Sequence, residues 1–198
     1  MIIGLSGKCC AGKNVAAEIL EEKGIPSIDV DKLGHFVLKS YPDIIKENFG
    51  EQVMAPDGSV DRKALGKIVF SDSQKLKKLE DLTHPLIEKE TVRLCKEILD
   101  SGNEHIIINA PLLHKMELYK SCGAVIWIDA PILVRIKRAL KRDNVGFISV
   151  IKRICKQRKL KPKPSGNCVD IYKVGNKAGL EPLKQKLEAV LNQIEQKD

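Results

Sequence analysis

Residues 1–15 read MIIGLSGKCCAGKNV. Met1 to Leu5 is a short apolar run, long enough for one buried strand. Gly7-x-x-x-x-Gly12-Lys13 follows, and Val15 to Leu20 starts a helical pattern. Strand, glycine loop with lysine, and helix form the context that a phosphate-binding P-loop requires. The glycines let the backbone turn its N–H groups inward, and a helix N-terminus adds unsatisfied N–H groups with a partial positive charge. Lys13 can then reach the outer phosphates of a nucleotide. Gly7, Lys8, Cys9, Cys10, Ala11, Gly12, Lys13, Asn14 and Val15 are the candidate cradle. A glycine-rich turn that merely joins a strand to a helix is the plainer alternative. The loop's position after the first strand of an α/β chain argues against it. One residue departs from the motif: Asn14 stands where Ser or Thr would offer magnesium a hydroxyl.

The chain has 198 residues, enough for one core with a small subdomain. No apolar run approaches a membrane span, and a five-residue strand followed by glycines is not a signal peptide, so the expected location is cytoplasmic. Cys9, Cys10, Cys95, Cys122, Cys155 and Cys168 show no C-x-x-C and no paired Cys/His spacing, which suits scattered reduced thiols. Cys9 and Cys10 lie in the loop itself; they are either oxidation-sensitive or simply small residues that serve through their backbone. The net charge of +8 is uneven: Arg135 to Lys163 holds twelve Lys or Arg and one acid, +11, which leaves −3 for the rest. Such an arm calls for an anionic partner, either a nucleic acid or a polyphosphate substrate.

Along the chain, the first helix runs to about Lys23, with Gly24 at its C′ position and Pro26 beyond. Ile25 to Val30 reads as a second strand ending in Asp29-Val30-Asp31. Ligands of open α/β sheets sit at the carboxyl ends of strands, so both acids are expected at the functional rim. Asp29 or a neighbour caps the helix that starts near Lys32, which leaves Asp31 to act. Lys32 to Phe49 is helical with a break at Pro42, and Ala55 to Gly58 is a turn. Ser71-x-x-Gln74 reads as a capping box opening a helix from Asp72 to Leu82. Thr83-His84-Pro85 breaks it, and a further helix spans Leu86 to Leu99. Residues of about 32–102 thus form a helical insertion that holds a substrate, inside a single 1–198 domain.

His105 to Asn109 and Ala124 to Asp129 read as buried parallel strands. A helix from Pro131 to Arg142 puts Arg135, Arg138 and Arg142 on one stripe. A second basic helix covers Ser149 to Lys159, and Lys161 to Gly166 is an extended connection. Asp170 to Val174 is the last strand, followed by a turn at Gly175-Asn176. The final helix, Glu181 to Gln196, presents Leu183, Leu187, Leu191 and Ile194 on one face. The expected fold is α/β: a three-layer P-loop arrangement with about five parallel strands flanked by helices and a helical substrate-holding lobe.

In this order the features resemble dephospho-coenzyme A kinase, and the resemblance covers nearly the whole chain. Its markers are GLSGKCCAGKN, Ile28-Asp29-Val30-Asp31, Asp61-Arg62-Lys63-Ala64-Leu65 with Ile68-Val69-Phe70, His84-Pro85-Leu86-Ile87, Pro111-Leu112-Leu113, Arg142-Asp143, and Arg153-Ile154 with Gln157. The resemblance implies transfer of the ATP γ-phosphate to the ribose 3′-hydroxyl of dephospho-coenzyme A, with Mg2+ accompanying ATP. It implies Asp31 as the base, Lys13 and Arg142 as catalytic cations, and Asn176 near the adenine. Arg62, His84, Pro111 and Leu112, with Asp31, would meet the acceptor. Arg138, Arg153 and Gln157 would belong to a basic lid at about 142–166, the helical lobe would bind the acceptor, and Asn14 would meet the metal directly or through water. For Arg62 and Arg138 a solvated surface charge is the rival reading, for His84 a packing role, and for Gln157 a polar lid face. Asn109 stands where many relatives have Asp, and Lys115 where they often have Glu. A kinase with another nucleoside or nucleotide acceptor is the nearest alternative. A non-catalytic nucleotide- or nucleic-acid-binding protein is the next, although Phe147 is the only aromatic in the basic span to stack on bases.

Overall fold

The computed structural model describes residues 1–111, 113–142, 147–157, 160 and 169–197. Leu112, Asp143, the 161–166 connection and much of the expected lid lie outside the described residues. The chain divides into two compact units, one of residues 1–28 and 95–198, the other Asp29–Leu94.

The larger unit is built on a sheet. β1 is Ile2–Gly7, β2 Ser27–Asp29, β3 Ile106–Asn109, β4 Ala124–Asp129 and β5 Asp170–Gly175, in the order β2-β3-β1-β4-β5. β1 pairs in parallel with β3 and β4, and β4 with β5. β1 is thus central and buried from Ile3 onward, which explains its unbroken apolar run. The register sets Leu5 beside Asn109, Gly7 beside Ile128 and Asp129 beside Gly175. The loop after β1 therefore emerges where the chain turns to opposite sides, the switch point at which such sheets bind ligands. Gly7 is required there, because a Cβ would collide with the Ile128 carbonyl of the neighbouring strand.

Helix α1, Lys13–Glu22, packs on the sheet through Ala16, Ala17, Ile19 and Leu20. Gly24 ends it at φ 85 with its N–H on the Glu21 carbonyl, as its C′ placement predicts. The last helix, α8, Leu180–Glu195, buries Leu183, Leu187, Leu191 and Ile194, the expected four. Each such side chain contributes roughly 1.5–3 kcal/mol when fully buried.

The second unit is helical: α2 Val30–Ser40, α3 Pro42–Phe49, α4 Arg62–Ser71 and most of α5, Ser73–Asp100. Its core is Ile45, Phe49, Val53, Leu65 and Val69. Asp29 caps α2, accepting from the Asp31 and Lys32 N–H groups, and Pro42 at the start of α3 makes the expected break. The turn at Ala55 to Gly58 is present, with Gly58 at φ 81.

Two expectations in this unit fail. Ser71 does not open a capping box, because it is the last residue of α4 and its hydroxyl bonds back to the Ile68 carbonyl. Asp72 is the cap instead, accepting from Gln74 and Lys75. Nor do Thr83-His84-Pro85 break the helix: α5 runs through Pro85 without interruption. A proline removes one N–H and crowds the preceding turn, which a helix survives when its flanks are long and packed. Thr83 lends its hydroxyl to the Leu79 carbonyl just upstream, and Thr83 and Ile87 are buried on either side.

The basic helices of the sheet unit are α6, Ile132–Arg142, and α7, Phe147–Lys156. Ala139, Val150 and Ile154 form a small apolar cluster, against which Ile136 and Cys10 of the loop pack partly buried.

Candidate active site

The glycine loop is tied to its surroundings by side chains from distant parts of the chain. Its backbone turns at Cys10, φ 59, and Gly12, φ 101. The Ala11 N–H bonds the Lys8 carbonyl at 3.0 Å, and Gly12 caps α1. A Cβ on Gly12 would meet the Asn176 amide, so space and conformation both demand glycine.

Lys13, the first residue of α1, donates to Asn109 Oδ1 at the end of β3 and, at 3.4 Å, to Asn14 Oδ1. Asn109 Nδ2 also lies 3.4 Å from Asn14 Oδ1. Asn109 is buried, so β3 fixes the place of the lysine head. Lys8 pairs with Asp129 of β4 at 2.8 Å, and Asp129 in turn accepts from the Ala130 N–H.

The arginine stripe of α6 faces this loop. Arg135 is buried, and its Nε donates to the Cys9 carbonyl at 2.8 Å. Arg138 donates to the Ala11 carbonyl and to Asn176 Oδ1, both at 3.1 Å. Asn176 is also buried; its Nδ2 donates to the Ala11 carbonyl at 2.9 Å, and its N–H to the Asp129 carbonyl at 2.7 Å. Gln157 reaches in from beyond α7, its Oε1 accepting from the Cys9 N–H at 2.5 Å. Beside the loop a cleft of 770 Å³ is lined by Lys8, Ile132, Arg135, Ile154, Gly175 and Lys177.

Burial pushes the Cys10 thiol above its ordinary pKa, the adjacent Cys9 adds to this, and Arg142 and Arg153 pull the other way. Arg142 is exposed and Arg153 half-buried.

Three of the remaining candidates belong to the helical unit and one to the sheet unit. Asp31 is the second residue of α2, and Arg62 the first of α4 behind the Asp61 cap. Arg62 lines a separate 640 Å³ cleft of the helical unit, with His35, Lys63 and Phe70. His84 lies exposed within α5. Pro111 follows β3 in the sheet unit, and its carbonyl accepts from the Ser6 hydroxyl at 3.2 Å.

Sequence reasoning passed over Asp129 as the partner of Lys8 and Arg135 as a ligand of the loop backbone. It noted Asn109 as a departure without seeing that it holds Lys13. Arg135 had a signal, its place on the 135/138/142 stripe; Asp129 had only its position at a strand end.

A magnesium ion accompanying a bound triphosphate would need oxygen donors. Asn14 and Asn109 offer neutral amide oxygens, and both already accept from the Lys13 ammonium. No group of three or more His, Cys, Asp or Glu suited to a metal stands together among the described residues. These residues fit an ion held chiefly by phosphate oxygens, with Asn14 as a neutral supporting ligand.

A family model for dephospho-CoA kinase matches residues 1–167. A dephospho-CoA kinase of Treponema pallidum (strain Nichols) is 32% identical over 200 residues, covering 96% of this chain and 93% of that one. Another, of Dehalococcoides mccartyi, is 37% identical over 158 residues, covering 79% and 80%. A crystal structure from Thermus thermophilus matches with a TM-score of 0.76 at 28% identity, over 98% of this chain and 97% of that one. The dephospho-CoA kinase from Campylobacter jejuni matches with a TM-score of 0.67 at 23% identity, over 98% and 97%, a likeness of fold.

Proposed function

This chain belongs to the dephospho-CoA kinase family, and on that premise we propose that it moves the γ-phosphoryl group of ATP to the ribose 3′-hydroxyl of dephospho-coenzyme A. The observation that carries the reading is the loop itself: Lys13 at the start of α1, fixed by Asn109, under a stripe of α6 arginines. Phosphoryl transfer needs positioning and charge neutralisation more than covalent chemistry.

In this proposal residues 7–15 cradle the ATP phosphates, and Lys13 leaves Asn109 to meet the outer ones. Gln157 and Arg153 close from the lid and keep water from taking the phosphoryl group. Arg142 lies over the transferring oxygens, where charge develops. Arg138 and Asn176 hold the Ala11 carbonyl, so Asn176 serves the loop as well as bordering the adenine seat. That seat is the cleft bounded by Gly175 and Lys177. When bound, Mg2+ neutralises charge on the β- and γ-phosphate oxygens, and Asn14 supports it directly or through water. Asp31 accepts the proton of the 3′-hydroxyl. Arg62, His84, Pro111 and Leu112 complete the acceptor site.

The basic arm fits this reading better than a nucleic-acid surface, because its first arginine is spent on the loop backbone and buried. The chain has no helix long and apolar enough to cross a membrane among its described residues; a cytoplasmic location is proposed with the function. The test is coupled ADP release with dephospho-coenzyme A, adenosine, AMP or dTMP as acceptor. Turnover with dephospho-coenzyme A alone is the expected result, and equal rates with a nucleoside monophosphate would reassign the acceptor.

A further inference from the structure

Cys9 and Cys10 are adjacent in the loop, both half-buried, with their sulfurs 3.6 Å apart. Cys10 is the one non-glycine residue with positive φ among the described residues. A side chain in that region costs of order 1–3 kcal/mol, and glycine would take the position freely. Cys10 therefore holds a turn that glycine would make more easily. It also sets the two sulfurs side by side. In a tetrahedral site with metal–sulfur bonds of about 2.3 Å, two sulfur ligands stand about 3.8 Å apart. The observed separation is already close to that edge.

We propose that Cys9 and Cys10 form a two-thiol clamp for a soft divalent cation, zinc or cadmium, and that the clamped ion and ATP exclude each other. Binding replaces two S–H bonds by two metal–sulfur bonds and releases two protons, with no change of oxidation state. Solvent supplies the remaining ligands. The net charge of the clamped ion and two thiolates is zero, so the nearby Arg142 and Arg153 do not repel it. Both cysteines belong to the 7–15 loop assigned to the phosphates, and Arg142, assigned to the transferring oxygens, acts electrostatically on Cys10. An ion between the sulfurs thus sits in the territory of the triphosphate. The exclusion rests on the ATP reading above; the clamp does not.

The probe is Cd2+, added to the full chain carrying Cys155→Ser and Cys168→Ser, with thiolate-to-cadmium absorption as the readout. One ion per chain is expected, lost in Cys9→Ser and in Cys10→Ser. Saturating ATP should weaken it at least about tenfold. ATP binding without cadmium is measured separately, so that a failed ATP reading is told apart from a failed clamp. Should the serine variants misfold, phenylarsine oxide on the unsubstituted chain gives a second measurement. It condenses with two thiols and loses one water, and mass spectrometry should find it bridging Cys9 and Cys10. Absorption that survives both serine substitutions, or an arsenical bound to single thiols elsewhere, would overturn the clamp. Cadmium affinity unchanged by ATP that demonstrably binds would overturn the exclusion.

Discussion

The glycine loop and the helical unit solve positioning in opposite ways. In the loop, backbone carbonyls and N–H groups are held by side chains from distant elements: Arg135 on Cys9, Arg138 and Asn176 on Ala11, Gln157 on Cys9. In the helical unit, Asp31 and Arg62 follow local aspartate caps at helix starts, and His84 sits on an exposed helical face. Each extra tie to a rigid element removes freedom before the ligand arrives, which lowers the cost of binding. The comparison teaches that the loop proposed for the phosphates is a preset cradle. Asp31, Arg62 and His84, proposed for the particular acceptor, ride instead on a unit with its own core.

The most severe tests of this contrast are chemical. Asp31→Asn should lower kcat about 10²–10⁴-fold, the usual weight of a general base, with ATP affinity retained. Lys13→Ala should cost about 10²–10³-fold and weaken ATP as well. If Asp31→Asn also abolished ATP binding, the division of labour would fail. Next comes Gly12→Ala, which should destabilise the fold by about 1–3 kcal/mol through its positive φ and the Asn176 amide, read as a lower urea midpoint.

Asn14→Ser should lower the Mg2+ needed for half-maximal turnover about tenfold, on the scale of lost or regained supporting ligands. An unchanged magnesium dependence would show that the amide serves as well as a hydroxyl. Arg62→Ala should raise the KM for dephospho-coenzyme A about tenfold and leave ATP affinity as it was, the loss expected of one charged hydrogen bond. A matching loss of ATP affinity would remove Arg62 from the acceptor side.

The gentlest test concerns the sheet unit's buried thiols. Burial pushes Cys122 up to about 12 and Cys95 up to about 11 from an ordinary 9.0. The folded chain then holds these protons more tightly than the unfolded one. Their contribution is complete below pH 9 and is lost as pH rises toward 12. For Cys122 alone the slope is about 1.4 kcal/mol per pH unit in that window. Urea unfolding at about pH 8 and about pH 10 reads it, and Cys122→Ala should flatten the decline.

Much of the fold was legible because it rests on short-range pattern. The apolar runs of β1, β3 and β4 need burial on both faces. The Leu183, Leu187, Leu191 and Ile194 spacing needs one helical face, and Gly24 closes α1 by local geometry. Residues 71–85 misled because two local signals competed with packing: Asp72 outbid Ser71 as the cap, and the flanks of a 28-residue helix carried Pro85.

The sequence by itself determined the loop, its strand and helix, the lysine and the inward arginine stripe, since each follows from neighbours a few residues apart. Tertiary structure alone decided that Asn109 holds Lys13, that Asp129 answers Lys8, and that Arg135 and Asn176 are spent on loop carbonyls. Those partners stand 96, 121, 126 and 165 residues apart. No local pattern encodes such distances; parallel strand register brings the pairs together only once the sheet has formed.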